Sequence, residues 1–390
     1  MKTNRHELLG QRGMVLMASL AILSLLVVVG IGAGVMLRND FQVLANLRGG
    51  TEAFYFSAAG VEWGKREIAQ AANFPPTPPN QSKNFSSGEF AVSFLSSTSV
   101  GPLAARVVLR STGTSRGAQQ VLQAQLTKSY DLADAALALR GNGAGVNLSA
   151  ASIFISGADH DATTGNPVAG AKSRNSVSTA DDSIRSLVLN ALGDPPRQDI
   201  LDSGPDMPAV ATSHYLAAGF VSQLANGLCA SAPAVVHSVP STGVLVVESQ
   251  VWGDQGSPQL HCIEGLSASG DAAMIAGIMT GVGILVVKNA DLILSGTLRW
   301  EGLILVTGSD ISLKTTGSSS TDLLGAAVVD ETGIPGSGRA ILDIEGTTRL
   351  LFSRQALSRA VTLIPATTLN DAHASLPWMI SQNYWRAVTP

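Results

Sequence analysis

The pattern with the clearest chemical precedent is Gly113-x-Ser115-x-Gly117. In hydrolases this spacing places a serine nucleophile on a sharp turn between a strand and a helix, with His and acidic partners from elsewhere in the fold. The residues on both sides of Ser115 alternate as they do in strands, which predicts a hairpin at this point. A periplasmic hydrolase centred on Ser115 is therefore the least favoured alternative.

A second pattern is acidic. Asp159 and Asp161 flank His160, and Asp181-Asp182 follows later in the chain. Carboxylate oxygens suit calcium, but the regular ligand spacing of a calcium loop is missing. Asp is also a common turn residue because its side chain bonds to nearby backbone. We expect a solvated turn and no metal site, with Asp159 and Asp161 as weak candidates.

Other catalytic motifs are missing from the sequence. It contains no His-Glu-x-x-His, no Walker loop and no Gly-x-Gly-x-x-Gly that opens a helix after a strand. It has six His residues and no paired-carboxylate signature. We therefore expect no catalytic residues, no cofactor and no enzymatic activity.

The composition limits the class of protein. The 390 residues include 25 Lys and Arg against 29 Asp and Glu, so a basic face for nucleic acid is not expected. Hydrophobic residues reach 45% and charged residues only 14%, which excludes disorder of the highly charged kind. The length allows two domains. Two cysteines cannot staple a chain of this size, so the fold must rest on its own core.

The segment Met14–Leu37 has no charged residue. Its 24 residues form a helix of about 36 Å, enough to cross a hydrocarbon core of about 30 Å. Basic residues outnumber the acidic one ahead of it (Lys2, Arg5 and Arg12 against Glu7). The positive-inside rule then places residues 1–13 in the cytoplasm and the bulk of the chain in the periplasm, with a single pass through the bacterial inner membrane.

Two kinds of cleavage compete with a simple anchor. A secretory signal has an apolar region of about 7 to 15 residues and a small-x-small site, whereas this segment runs directly into Arg38-Asn39-Asp40. The span is therefore expected to be kept. Cleavage in front of it is the other case, because Gly13 directly precedes Met14 and fits an extended protease cleft.

Gln11-Arg12-Gly13-Met14 resembles the class III signal of type IV pilins and of type II secretion pseudopilins. The resemblance implies that prepilin peptidase removes residues 1–13 after Gly13 and that Met14 becomes N-methylated. The order of residues in Leu44–Ala69 is similar to the PilX N-terminal domain of minor pilins, although Ser57-Ala58-Ala59-Gly60 stands where that family has Ala-Glu-Ala-Gly. Ser111–Ala118 also resembles a late turn of such pilins.

Ala18 is the fifth residue of the mature chain when counted from Met14. Major pilins that this chain resembles have a Glu there, which pairs with the amino terminus of a neighbouring subunit. Its absence is associated with subunits at the filament tip, such as the type II secretion pseudopilin GspK and some PilX-like proteins. A tip subunit has no such amino terminus to neutralise, and an unpaired buried carboxylate would be costly.

An apolar stripe continues beyond the span and predicts a helix from Met14 to about Ala72, nearly 90 Å long. Gly30 and Gly34 form a GxxxG step that allows close helix packing, although Gly is also common in membrane helices. Gly49-Gly50 predicts a hinge, as a bend or a frayed point.

We expect residues 38–72 to form the periplasmic half of the helix and 73–129 to form a pilin-like head. Phe74–Pro79 reads as a stiff connector, and alternating residues predict strands of a small antiparallel sheet. The predicted strands are Glu89–Phe94, Ala105–Arg110 and Gln120–Leu126.

Residues 130–235 are predicted to be an insertion of loops and two helices. The turns are Gly141–Gly145 and Gly157–Asp161, and Asp194–Pro208 is a Pro-rich loop. The expected helices are Ser183–Leu192, capped by Ser183, and His214–Ala225, capped by Ser213.

A faint repeat marks residues 236–390. A Gly followed by four apolar residues recurs after 19 and 23 residues, at Gly283–Val287, Gly302–Val306 and Gly325–Val329. This period favours a β-solenoid over a β-sandwich. Gly243–Val247 is a candidate earlier coil, and Arg349–Ala360 a strand and helix that cap the stack. The predicted fold class is α+β, with a long membrane helix, a small antiparallel sheet and a large all-β domain.

Cys229 and Cys262 lie in the exported part of the chain, where an oxidising periplasm permits a disulfide. A bond between them is more plausible than two free buried thiols. It would contribute roughly 3 to 4 kcal/mol in the chain-entropy model. No Cys-x-x-Cys motif is present, so redox catalysis has no support.

The resemblance implies a minor pilin or pseudopilin that primes a filament and caps its tip, with the β-domain as an adhesive or interaction surface. It implies as partners other minor pilins, the major pilin, prepilin peptidase and the inner-membrane assembly platform with its ATPase. The alternative is a permanently membrane-anchored periplasmic binding or scaffold protein.

Overall fold

The computed structural model describes residues 5–388 apart from short gaps at 72, 74, 102–103, 131, 142–144, 150–151, 194–196, 198, 205–206, 214–218, 267–269, 333–339, 366–367 and 369–377. The predicted turn at Gly141–Gly145 lies mostly outside the described residues. So do the Pro pair after Asp194 and the first part of the predicted helix His214–Ala225.

The first element is the helix α1, Arg5–Gln70, whose 66 residues extend about 99 Å. Its side chains from Met14 to Arg48 are exposed, so no other described part of the chain covers them. In the described residues, it is the one helix long and apolar enough to cross a membrane. Helical structure continues through Gly49-Gly50. The helix is therefore not frayed at this point, and a bend at the glycine pair stays a prediction.

The second half of α1 lies on a five-stranded antiparallel sheet in the order β1-β2-β3-β4-β23. Its strands are β1 Gln81–Phe85, β2 Gly88–Gly101, β3 Ala104–Ser115, β4 Ala118–Tyr130 and β23 Trp378–Val388. We call this sheet with the helix part 49–70 the head. The head therefore includes a strand from the carboxyl end of the chain. The sequence predicts the head at residues 73–129 and places this strand in the β-domain 236–390.

The remaining elements form the β-rich body, residues 135–361. Its strands in a 12-stranded sheet are β5 Ala135–Arg140, β7 Ser152–Ser156, β8 Asn175–Thr179, β9 Leu201–Asp202, β10 Val210–Thr212, β11 Ala234–Ser238, β13 Val251–Trp252, β14 Gln259–Glu264, β16 Ile278–Lys288, β18 Thr297–Gly308, β20 Ser320–Glu331 and β22 Thr347–Phe352. A six-stranded sheet contains β6 Gly145–Leu148, β12 Val244–Glu248, β15 Ala272–Ala276, β17 Asp291–Leu294, β19 Leu313–Thr315 and β21 Ala340–Ile344.

From β14 to β22, successive strands alternate between the two sheets. β16, β18 and β20 lie side by side in the larger sheet, and β17, β19 and β21 lie side by side in the smaller one. The pairing is parallel throughout this run. The chain thus passes from one sheet to the other and back with each repeat.

The predicted glycine repeat forms one column of the larger sheet. Gly283 pairs with Gly302, and Gly302 pairs with Gly325. The segment Gly243–Val247 does not belong to this column, because β12 lies in the smaller sheet and pairs with β15. A shared Gly-plus-apolar pattern therefore did not distinguish the two sheets.

Residues 135–212 are part of the body rather than a separate insertion. β5 pairs in parallel with β20, and β8 pairs with β5. The pairing is reinforced by Arg140 Nη1, which lies 3.4 Å from Oδ1 of the buried Asp330. The boundary expected at residue 235 therefore does not separate two folded units.

Among the described residues of the body, the short helices are α2 Asp182–Ala191, α3 Phe220–Cys229 and α4 Arg354–Val361. Asp181, not Ser183, caps α2 by accepting a bond from Ile184 N at 2.9 Å. The second helix begins after Gly219, and Ser213 is not its cap. The larger sheet packs against α3 and α4, and its central strands are buried along most of their length. Such double burial is typical of parallel sheets.

A disulfide joins the last residue of α3, Cys229, to Cys262 of β14, with the Cα atoms 5.7 Å apart. Nearby, the ring of His261 stacks on Trp252 with centroids 4.0 Å apart. The Nδ1 atom of His261 lies 3.1 Å from Nε2 of His237. Burial, together with the nearby His237, lowers the pKa of His261 to about 4.

We predict that Gly302→Ala destabilises the body by about 3 kcal/mol or more, since a strained φ and a backbone overlap combine. The φ of Gly302 is +141°, and an added Cβ would lie 1.9 Å from the carbonyl oxygen of Gly283. The measurement is denaturant unfolding of the full chain in detergent. Gly317→Ala is the matched control, because its Cβ meets nothing nearer than 3.7 Å. Equal stability of the two variants would refute the backbone argument.

We also predict that lowering the pH from 7.5 to 5 destabilises the body in part through His261. The unfolded side chain titrates near its ordinary pKa of 6.5 and the folded one near 4. Between these values the unfolded state binds more protons than the folded state, so the free energy of unfolding decreases as the pH is lowered. Thermal unfolding at both pH values should show a smaller drop for His261→Gln than for the wild type. An unchanged drop would exclude His261 as the source.

Candidate assembly surface

The head is held together by a face of α1 made of small residues. This small face consists of Ala53, Ser57, Gly60 and Gly64, at spacings of four, three and four. It lies against β3, where a Cβ added at Gly113 would be 2.1 Å from the carbonyl oxygen of Ala53. Helix and sheet therefore meet backbone to backbone at this point.

Larger side chains surround that contact and form the core of the head. They come from α1 and from the inward faces of β2, β3 and β4. The buried members are Val61, Ile68, Phe90, Val92, Val107, Leu109, Leu122, Ala124 and Leu126. The predicted amphipathic stripe thus supplies the core where the sheet is present and stays exposed where it is not.

A polar cluster marks the point where α1 enters the head. Glu52 accepts bonds from Arg48 Nε and Arg116 Nε, each at 3.0 Å. The Ser115 hydroxyl lies 2.8 Å from Glu52 Oε2 and 2.9 Å from the Ser87 carbonyl. The hydrogen bonds from Arg48 and Ser115 lower the pKa of Glu52.

The hydrogen bonds of Ser115 join the β3–β4 hairpin to the helix α1 and to the chain before β2. Ser115 is buried at the end of β3, and the Arg116-Gly117 turn leads into β4. A strand follows the turn, as the sequence predicted, where a nucleophile elbow needs a helix. Its polar partners bind the helix to the hairpin.

The carboxyl end of α1 is capped by a residue that the sequence analysis missed. Lys128 is buried, and its Nζ donates to the carbonyl oxygens of Ala69 and Ala71 at 3.0 Å each. A cation at this end satisfies free carbonyls and opposes the helix dipole. Burial lowers the pKa of Lys128 to about 8. The signal in the sequence was a Lys at an inward position of an alternating strand.

Two grooves lie beside α1 on the head. The larger, of about 650 Å³, is lined by Val43, Asn46, Leu47, Gly50, Thr51, Phe54, Tyr55 and Gln120. The smaller, of about 140 Å³, lies between α1, β4 and β23. Phe54 borders both, and its ring is 6.2 Å from that of Trp385. These apolar grooves continue the exposed face of the helix into the head.

The predicted helix-packing residues Gly30 and Gly34 have free space around them. A Cβ placed at Gly30 or Gly34 would meet nothing within 4 Å. Gly13 and Met14 lie within α1, and Ala18 is on its exposed part. Of the hinge pair, Gly49 is buried against Ala118, whose Cβ would be 3.3 Å from an added Cβ, while Gly50 faces open space.

The acidic candidates form local hydrogen bonds. Asp161 Oδ1 accepts bonds from the backbone of Thr163 and Thr164 and from the Thr164 hydroxyl, which lower its pKa. Asp159 accepts bonds from Arg354 N and Nη1 at 2.9 and 3.2 Å. In the described ranges, no three His, Cys, Asp or Glu side chains are grouped to hold a metal ion.

Comparisons with known proteins add little to this description. No family model matches the chain, and no curated protein sequence matches it. One solved structure to which it is similar is the competence-associated pilin ComZ from Thermus thermophilus. The alignment covers 87% of this chain and 97% of that chain, with 11% identity and a TM-score of 0.27. At this score neither the fold nor the function of ComZ is transferred to this chain.

We predict that Gly113→Ala loosens α1 from the head, since the added methyl cannot avoid the helix backbone. Its Cβ would lie 2.4 Å from Ser57 N as well as 2.1 Å from the Ala53 carbonyl. Hydrogen exchange of the full chain in detergent should become at least tenfold faster in the helix part 53–64. Gly50→Ala is the control and should leave exchange unchanged or slower. Wild-type protection in the Gly113 variant would show that the close contact is dispensable.

Proposed function

We propose that this chain is a pilin-like subunit that assembles through α1 with the helices of other pilins. The observation that carries the proposal is the division of one continuous helix into two parts. The part from residue 49 is seated in a folded head, while every side chain from Met14 to Arg48 is exposed in the part of the chain that the structure describes. Such an exposed apolar helix needs lipid or other helices around it.

Lipid alone does not account for the whole exposed stretch. Met14–Leu37 already exceeds the hydrocarbon core in length. Phe41, Leu44 and Leu47 lie beyond it, and each is at least 60% exposed. Apolar side chains in this position are covered when neighbouring helices pack alongside, as in a filament core.

The proposal extends to the place of the subunit and to its processing. Residues 1–13 are the leader that prepilin peptidase removes after Gly13, and Met14 is then N-methylated. Ala18 lacks the carboxylate that would pair with a neighbour's amino terminus, which favours a minor pilin or pseudopilin, of the PilX or GspK type, at the filament tip. Its partners are then other minor pilins, the major pilin and the inner-membrane assembly platform.

We further propose that the body is a β-solenoid displayed beyond the head. The alternation of parallel strands between two sheets and the glycine column both support this assignment. Antiparallel pairs, which a β-sandwich would use, are confined among the described strands to the head. As a large unit attached to the head, the body is the interaction or adhesive surface of the filament tip.

The test is the amino-terminal residue of the protein in its native membrane. We expect mass spectrometry to find N-methylated Met14 when prepilin peptidase is present and an intact amino terminus when the peptidase is deleted. Gly13→Val should block cleavage, because a branched side chain does not fit the site that a Gly occupies. Gly10→Val is the control and should be processed normally.

An uncleaved chain in the presence of the peptidase would contradict the proposal. It would instead favour a permanently anchored periplasmic scaffold or binding protein.

A further inference from the structure

The two ends of the body differ in how their edge strands are covered. At one end the edges are β10 and the two-residue β9 in the larger sheet, which branches at β20, and β6 in the smaller sheet. The helix α2 packs against β10 and β6 and buries Ile184 and Val188. This end is therefore capped, as stacked folds require.

The other end, which we call the open end, contains the edge strands β11 and β12, and the two-residue strand β13 also pairs on one side, with β16. In the described part of the chain, each of the two edge strands pairs on one side only, β11 with β14 and β12 with β15. Their side chains are apolar and substantially exposed. The exposed fractions are 46% and 49% for Val235 and Val236, and 39% and 48% for Val244 and Val246.

Nothing on these strands prevents further pairing. Edge strands are normally protected by Lys, Pro, bulges or inward-pointing charges. Neither β11 nor β12 contains Lys or Pro, and Glu248 is their one acidic residue. Free backbone groups and apolar side chains together form a template for strand addition.

The open end is held in a fixed shape. The neighbouring strand β14 is tied to α3 by the disulfide between Cys229 and Cys262. His237 of β11 contacts His261 of β14, which stacks on Trp252. A surface that is ordered before binding loses less entropy when it binds.

In the described residues, no strand of the head pairs with β11 or β12. The chain enters the body at β5, and five strand spacings separate β5 from β11 in the larger sheet. At about 4.8 Å per spacing, the distance is about 24 Å.

We propose that the open end binds the same end of a second copy of this protein. An occupant that covers both edges must present two strands at the spacing of two packed sheets, about 10 Å. The open end of another copy has this arrangement. A two-fold axis would pair each edge antiparallel with an edge of the partner, which is an isologous contact.

Charge does not oppose this contact. When β12 pairs with its copy around Val246, each Glu248 lies opposite a Val244. The two carboxylates are then about 14 Å apart along the strand direction. The remaining facing residues of β12 are Val and Leu.

The test places a photo-crosslinking amino acid at Val246 in the full-length chain in native membranes. We expect a crosslinked product of twice the chain mass, with peptides that join residue 246 to residues 234–248 of the other copy. Mixed isotope-labelled and unlabelled copies identify crosslinks between chains. The matched control carries the crosslinker at Asn147, which is exposed and ends the same register column at the capped end. It should give at least tenfold less dimer.

The double variant Val236→Lys with Val246→Lys tests the surface itself. With the crosslinker moved to Val244, we expect at least a tenfold loss of dimer, since both exposed edges gain a charge. Crosslinks to a different protein, crosslinks only through α1, or no crosslink at Val246 would each overturn the proposal. Processing at Gly13 is measured separately, so failure of this contact is distinguishable from failure of the proposed function.

Discussion

The backbone contact between α1 and β3 is the constraint on which the arrangement of the molecule depends. At Ala53 and Gly113 the helix and the sheet approach more closely than any side chain would allow. The small face of α1 sets this distance, and the apolar residues around it fill the space on either side. The Glu52 cluster and Lys128 then fix the two ends of the seated helix. The exposed half of α1 is thereby held at a defined direction relative to the head.

Elements set by local patterns could be predicted from the sequence. The uncharged run Met14–Leu37, the alternating strands of the head and the Gly-plus-apolar repeat all carry their signal within a few residues. Their helix, hairpins and glycine column follow from side-chain periodicity and turn chemistry. The strand and helix predicted at Arg349–Ala360 were recognisable for the same reason, as β22 and α4. They do not cap the stack as predicted, because β22 lies between β20 and β7 and α4 packs against β16, β18 and β20.

Elements that depend on strand partners far away in the sequence could not be predicted. β23 pairs with β4 across about 250 residues of intervening chain, and no local feature of Trp378–Val388 names that partner. Residues 135–212 looked irregular because their strands are short and become stable only beside β20 and β22. At the candidate assembly surface, the roles of Gly13 and Ala18 rest on the resemblance and stay predictions. Lys128 was missed because its role depends on the end of a helix more than fifty residues away.

The position of the body within the head's sheet has a mechanical consequence. The body is inserted between β4 and β23, whose facing ends, Tyr130 and Trp378, are register partners. A pull on the body is therefore shared by two adjacent strands and directed along them. Such a load shears the rows of hydrogen bonds between β3 and β4 together, whereas a single terminal strand could be peeled off one bond at a time. The head is thus built to transmit tension from the body to α1 without opening.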